Sequence, residues 1–275
     1  LILGFKLKNT INYTIIIYKH FKKISEKLVY ELLTGELWSC MLKKNTGGDG
    51  SMRLTQRQPR ETGRDYALRT IKDNIIHLEL APGSMVSENE LAAAMGLSRT
   101  PVREALIELS KVKIVEIYPQ KGSAVALIDY DLVEESRFMR KVLECAVVEL
   151  DCEMATPEDI RRLQENVRLQ NFYLENYYPE ALMDLDNQFH ALIFEIARKD
   201  QVYALMDNIS IHFDRVRSMA LSAVKNLKIV QDHENLVNAI ARKDAAAATS
   251  LMELHLSRYK IDAKAIREKY PDYFR

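Results

Sequence analysis

No glycine occurs between Asp129 and Tyr270, and almost no stretch there alternates apolar with polar residues, so this half of the chain lacks both the turn chemistry and the period of a sheet. Apolar side chains instead recur at helical spacing, which predicts helices over residues 130–151, 157–175, 179–198, 201–222, 227–241 and 244–268. Thr156 ahead of Pro157 and Asp244 ahead of an alanine run read as N-caps, whose side-chain oxygens accept from backbone N–H groups that lack a helical partner. The expected fold is mainly α, with an all-α bundle of about six helices over residues 128–270.

The preceding segment has a different grammar. Leu68, Ile71, Ile75 and Leu78 mark one helix, stopped by "APGS". Ser87 with Glu90 three residues on forms a capping box for a second, whose inner face is Leu91 and Met95 and whose end is Gly96. After Leu97, Ser98 and Arg99, Thr100 and Pro101 read as N-cap and first residue of a third, with Val102, Ala105, Leu106 and Leu109 inside. Two short helices across a glycine turn make a helix-turn-helix. "KIVEI" and "SAVALI" then alternate around "YPQKG", predicting a two-stranded wing with Lys121 and Gly122 at its tip. Residues 52–127 are therefore expected to form an N-terminal winged helix-turn-helix domain.

Lys and Arg together number 39, as do Asp and Glu, so net charge decides nothing about a polyanionic partner and only clustering can. Arg99 and Arg103 flank a helix start, where the dipole already disfavours cations. An external polyanion entering at that point resolves the conflict, and DNA is the obvious candidate. Ser98 and Thr100 can bind phosphate oxygens, and an arginine in the major groove can bond bidentately to guanine. Upstream, Arg53, Arg57, Arg60, Arg64, Arg69 and Lys72 face only Glu61 and Asp65, a local basic excess. The plainer alternative is a helix-turn-helix used as a packing unit with solvated arginines.

In the bundle, Asp186 and His190 stand at i, i+4 beside Phe189 and Ile193. His233 shares a stripe with Ile229, Leu236 and Ile240, and His255 one with Ala248, Leu251 and Met252, so both should point inward. Three imidazoles and a carboxylate meeting in a core suit a divalent transition metal; singly, each histidine could equally be a satisfied core residue. Arg140 lies seven residues from both Val133 and Val147, hence inward, and a buried guanidinium needs an anion: Glu144, Glu149 or a ligand. His212, Arg215 and Arg217 could line the same cavity, His212 sharing a face with Leu205, Ile209 and Val216.

"SENELAAAMGLSRTPVREAL…IVEIYPQKGSAVA" resembles the winged-helix domain of GntR transcription regulators over residues 62–127, with "SRTPVREAL" close to that family's most specific signature. The resemblance implies DNA contacts by Ser98, Arg99, Thr100 and Arg103, and by Lys121 and Gly122 on the wing. Two departures stand out: Asn89 where many members carry arginine, and "LSKVKIV" where a glycine-containing turn is usual. "RKVLE", "DNQFH", "DHENLVNAI" and "MELHL" are similar in order and spacing to the FCD effector-binding domain of the FadR subfamily. In its metal-containing members the matching positions are ligands, which implies a divalent metal, zinc first and nickel or manganese as alternatives, at Asp186, His190, His233 and His255. The same match implies that Arg140 meets a small carboxylate effector.

Three cysteines, an odd number without finger spacing, fit a reducing, cytoplasmic setting, and no run of about 18 apolar residues suggests a membrane span. The first 51 residues, unlike the rest in composition, read as a non-native or disordered extension before a start at Met41 or Met52. The functional expectation is a homodimeric, ligand-responsive transcriptional regulator, not an enzyme: a repressor released from operator DNA by a small carboxylate bound near the metal. An acyl-CoA sensor without functional metal is the family alternative. A metal-dependent hydrolase is disfavoured because no general base stands apart from the ligands.

Overall fold

A computed structural model describes residues 52–223 and 228–275, so the reading of residues 1–51 lies outside the described residues. Helix α1 (Gly63–Ile76) begins at Thr62, whose hydroxyl accepts from Asp65 N, and is followed by strand β1 (Met85–Val86). Helix α2 (Glu88–Met95) starts at Ser87, which accepts from Glu90 N at 3.4 Å. It ends at Gly96, whose φ of 64° is left-handed; a Cβ there would meet nothing within 4 Å, so backbone conformation and not crowding selects glycine.

Helix α3 (Arg99–Lys111) starts two residues earlier than its sequence suggests, with Ser98 at the N-cap and Thr100 and Pro101 inside the first turn. Proline fits there because the first four N–H groups of a helix have no helical acceptor in any case. Strands β2 (Val115–Tyr118) and β3 (Gly122–Val125) pair antiparallel, Val115 opposite Val125 and Tyr118 opposite Gly122. The expected two-stranded hairpin is in fact a three-stranded sheet, ordered β1-β3-β2, because Met85 and Val86 pair with Ala124 and Ser123. Two residues are too few to show a period of two in a sequence. Lys113, at the turn where a glycine is usual, takes φ 58°.

Ile71, Ile75, Val102, Leu106, Ile114 and Val125 fill the core of this front module, and burying each such side chain contributes about 1.5–3 kcal/mol. Met183 and Ile211, from the bundle, complete it. The expected basic excess upstream is largely matched internally: Arg69 pairs with Glu61, Arg64 with Glu108, Lys72 with Asp207 and Arg53 with Glu180. Three of those four acids are distant in sequence, which is why local counting missed them.

The bundle consists of α4 (Tyr130–Met154), α5 (Pro157–Glu175), α6 (Pro179–Ile196), α7 (Asp200–Ala223), α8 (Ile229–Ala241), α9 (Ala245–His255) and α10 (Arg258–Lys269). Thr156 and Asp159 form a reciprocal capping box on α5, and Asp244 caps α9 by accepting from Ala247 N. The helix expected over 244–268 is therefore two, broken at Leu256 and Ser257 without glycine or proline. Tertiary contact accounts for the break. Arg258 opens α10 with both arms on Asp232, Nε to Oδ2 and Nη2 to Oδ1 at 2.7 Å each, and the helix then packs along α7. The last residues return to the junction of the modules, where Ile128 N donates to Tyr273 O and Arg275 N to Ile128 O.

Candidate functional site

Helix α6 buries Leu182, Phe189, Ile193 and Phe194, and that orientation carries Asp186 and His190 into the bundle interior on the same face. Helix α8 adds His233 and the C-terminal turn of α9 adds His255. One ligand atom from each of the four buried residues lies within 4.8 Å of the others. The Nε2 atoms of His233 and His255 are 3.3 Å apart, as are those of His255 and His190; His233 Nε2 is 3.5 Å from Asp186 Oδ1.

Burial lowers the pKa of all three histidines, so the rings are neutral, the form that ligates metal. His190 Nδ1 is 2.6 Å from Glu144 Oε2 and His233 Nδ1 is 2.8 Å from Gln170 Oε1. With Nδ1 of His190 and His233 so placed, their Nε2 atoms turn toward His255 Nε2 and the Asp186 carboxylate, whose buried Oδ1 has no hydrogen-bond partner among the described residues. Mutual hydrogen bonding cannot satisfy such a set, whereas a divalent cation can: three imidazole nitrogens and a carboxylate oxygen are a zinc-type donor set. The residues fit the group.

Four charged groups surround the cluster. Arg217 lies against Asp186 Oδ2 and reaches Asp214 Oδ1 at 2.6 Å. Arg140 donates to Glu144 Oε1 at 2.6 Å, with Asp214 at 3.5 Å. Burial opposes ionisation of Glu144, but Arg140 and then His190 beside it outweigh that and hold its pKa low. Asp214 is pushed up to about 6 by burial, against the pull of Arg140. Burial, and then the neighbouring Arg140, lower the pKa of Arg217, against the pull of Glu144.

The structure thus gives Arg140 an internal carboxylate, one of the alternatives open in the sequence. His212 and Arg215 are not drawn to this cluster. His212 Nε2 lies 2.7 Å from Val112 O, at the C-cap of α3, and Arg215 Nη1 donates to Ala126 O at 2.7 Å, just past β3. On α7, positions 214 and 217 face the cluster and 212 and 215 face the front module, as a period of 3.6 requires. Their expected place beside an effector is corrected accordingly. Leu205 and Ile209, assigned to the inward face with His212, are exposed. Sequence reasoning had missed Gln170, Asp214 and Asp232; the one available signal was Asn166 and Gln170 on the buried stripe of α5 with Leu163 and Val167.

His212 makes the junction sensitive to pH. Burial pushes its imidazole down to about 4, although the Val112 bond raises it. The folded pKa lies below the unfolded value, so the neutral ring contributes stability that is complete above about pH 6.5 and is lost as pH falls toward 4. Urea unfolding of wild type and His212→Gln should diverge over that window, the wild type losing on the order of 2 kcal/mol more, because a glutamine amide donates without titrating. Parallel curves would mean that the ring charges freely in the folded protein.

At the other end of the molecule, Arg99, Arg103, Lys121 and Gly122 line one concave surface between α3 and the wing, together with Asn89 and Tyr118. Ser98 and Thr100 are exposed beside it, and Ser98 makes no side-chain cap bond, leaving its hydroxyl available. Glu88 accepts from Arg99 Nη2 at 2.9 Å. Gly122 takes φ 104°, a value that favours glycine where the wing turns back.

Residues 66–125 match the family model described as bacterial regulatory proteins, gntR family, and residues 135–258 match that of the FCD domain. The chain is 30% identical over 221 residues to the HTH-type transcriptional repressor RspR of Escherichia coli (strain K12), an alignment covering 80% of this chain and 97% of that protein. It is 31% identical over 222 residues to an HTH-type transcriptional regulator in an unstable DNA locus of Streptomyces ambofaciens, covering 80% and 93%. Among solved structures it is similar in fold to E. coli McbR/YncC, with TM-score 0.65 and 20% identity over 76% of this chain and 99% of that one. A transcriptional regulator of Rhodococcus sp. RHA1 gives TM-score 0.60 and 21% identity over 74% and 97%.

Proposed function

The chain belongs to the GntR family of bacterial regulatory proteins, with an FCD domain, and is a DNA-binding transcriptional regulator; from that premise we propose how its residues divide the work. Residues 52–127 bind operator DNA, with α3 entering the major groove, Ser98 and Thr100 on phosphates, Arg99 and Arg103 at phosphates or base edges, and Lys121 and Gly122 of the wing on the neighbouring groove. The shared concavity of Arg99, Arg103 and Lys121 is the observation that carries this assignment. Arg103→Ala should cost about 1–3 kcal/mol in operator binding, measured by fluorescence anisotropy over a salt titration. Equal binding at every salt concentration would remove Arg103 from the interface.

Residues 128–270 hold the sensor, with Asp186, His190, His233 and His255 as ligands to a divalent metal, zinc being the best match to a nitrogen-rich donor set. Bound there, the metal would supply a Lewis-acidic position for an oxygen of the effector. Charge counting supports the effector's chemistry. Asp186, Glu144 and Asp214 stand against Arg140 and Arg217. A divalent ion makes that group net positive by one, which a small monocarboxylate neutralises.

Arg217 then answers to Asp186, Asp214 and the effector, and it sits on α7, whose opposite face holds the end of α3 through His212 and the wing through Arg215. An effector that favours one position of α7 shifts the DNA-binding module with it. Release of a repressor is the sign we favour, as RspR is a repressor. One recognition helix covers a half-site, so the unit that binds is a homodimer. Exposed apolar side chains support this: Phe138 (65% exposed) and Val142 (52%) share one face of α4, and Leu205 (71%) and Ile209 (47%) share one face of α7.

A further inference from the structure

Helix α5 contributes none of the four ligands, yet two of its buried amides lie in line between the backbone of one ligand helix and the ring of a ligand on another. Asn166 Nδ2 donates to Leu185 O at 3.1 Å, Gln170 Nε2 donates to Asn166 Oδ1 at 2.6 Å, and His233 Nδ1 lies 2.8 Å from Gln170 Oε1. Leu185 immediately precedes Asp186 on α6.

The direction of this chain follows from its first member. A backbone carbonyl can only accept, so the group facing Leu185 O is the Asn166 amino group, which turns Oδ1 toward Gln170. An amide oxygen also only accepts, so the group facing it is the Gln170 amino group, and Oε1 is left for His233. The histidine nitrogen there must carry the proton. His233 is consequently the Nδ1–H tautomer, with the Nε2 lone pair aimed at the cluster, 3.3 Å from His255 Nε2 and 3.5 Å from Asp186 Oδ1. Phe189, stacked on the imidazole at 4.0 Å and 19° between planes, fixes the plane of the ring; the amide fixes which nitrogen is bare.

We propose that Gln170, oriented by Asn166 from the Leu185 carbonyl, is the positioning residue that selects the metal-binding tautomer of His233. The assignment rests on the metal reading above. Reversal of the Gln170 amide would put two donors face to face at Nδ1 and move the imidazole proton to Nε2, inside the cluster, where it blocks ligation. Hydrogen bonds from ligand histidines to outer groups of this kind are worth 10–100-fold in metal affinity. Here the outer group is neutral and sits two hydrogen bonds from a fixed backbone atom, so α5 controls metal affinity without touching metal.

Zinc affinity of the full chain, measured by competition with a chromogenic chelator, should fall about 10–100-fold in Gln170→Leu. The thermal midpoint of the chelator-treated proteins is read alongside. A merely structural Gln170 would lower that midpoint in Gln170→Leu and leave zinc affinity equal to wild type, which overturns the proposal while the metal reading stands. Absence of zinc uptake by the wild type overturns both. Long-range nitrogen–proton NMR of the zinc-free wild type gives a readout that needs no variant to fold: His233 protonated on Nδ1 supports the proposal, and protonation on Nε2 overturns it.

Discussion

Glu144→Ala should destabilise the zinc-free protein by about 3–5 kcal/mol, the largest effect expected of a single substitution in the bundle. Glu144 is fully buried, accepts from Arg140 Nε at 2.6 Å and holds His190 Nδ1 at 2.6 Å. Among the described residues, its removal leaves the guanidinium of Arg140, itself 2% exposed, with Asp214 at 3.5 Å as its one carboxylate, and that carboxyl is already pushed up to about 6 by its own burial. An uncompensated buried charge is the costly case; an ion pair replaced on both sides by apolar groups is often neutral. Arg140→Met with Glu144→Leu should therefore recover much of the stability lost by Glu144→Ala, but not the metal affinity, since His190 also loses its acceptor. Urea titration measures the first and chelator competition the second. A loss below about 1 kcal/mol in Glu144→Ala would show that Arg140 has another anion or water available, and would return it to the role of an effector ligand.

Removal of the metal should be nearly as large. Zinc at a hundred times its dissociation constant stabilises the folded state by about 2.7 kcal/mol, and a chain of this size should lose about 5–10 °C of thermal midpoint on chelation. His233→Ala and His255→Ala should each bring the midpoint of the zinc-treated protein to the chelated value and make it indifferent to chelator, because either change leaves too few nitrogens at the cluster. Elemental analysis of the same samples should show the metal gone. A full equivalent retained in both variants would place the ion elsewhere.

The buried cluster was legible because it obeys local geometry: Asp186 and His190 share a face at i, i+4, and His233 and His255 lie on apolar stripes that had to turn inward. The helix-turn-helix was legible for the same reason, since Ser87, Gly96 and Pro101 are residues whose backbone chemistry marks helix ends. Arg140 was legible in its burial and not in its partner. His212 and Arg215 show the limit most clearly: the sequence offered them for the cavity of Arg140, but their side of α7 meets the carbonyls of Val112 and Ala126 and not the Asp/His cluster.

Spacing alone, then, determined which residues of most helices turn inward, where most helices begin, and that a carboxylate and three imidazoles would be buried. Tertiary structure decided what waits on the other side of each buried face: the break at Leu256 and Ser257 that lets Arg258 reach Asp232, the third strand at Met85, and the amide line from Leu185 to His233. The reason is physical. A period of 3.6 or 2 is set by the backbone of one element, whereas the partner of a buried polar group is set by how elements far apart in the chain meet, and no local pattern records that meeting.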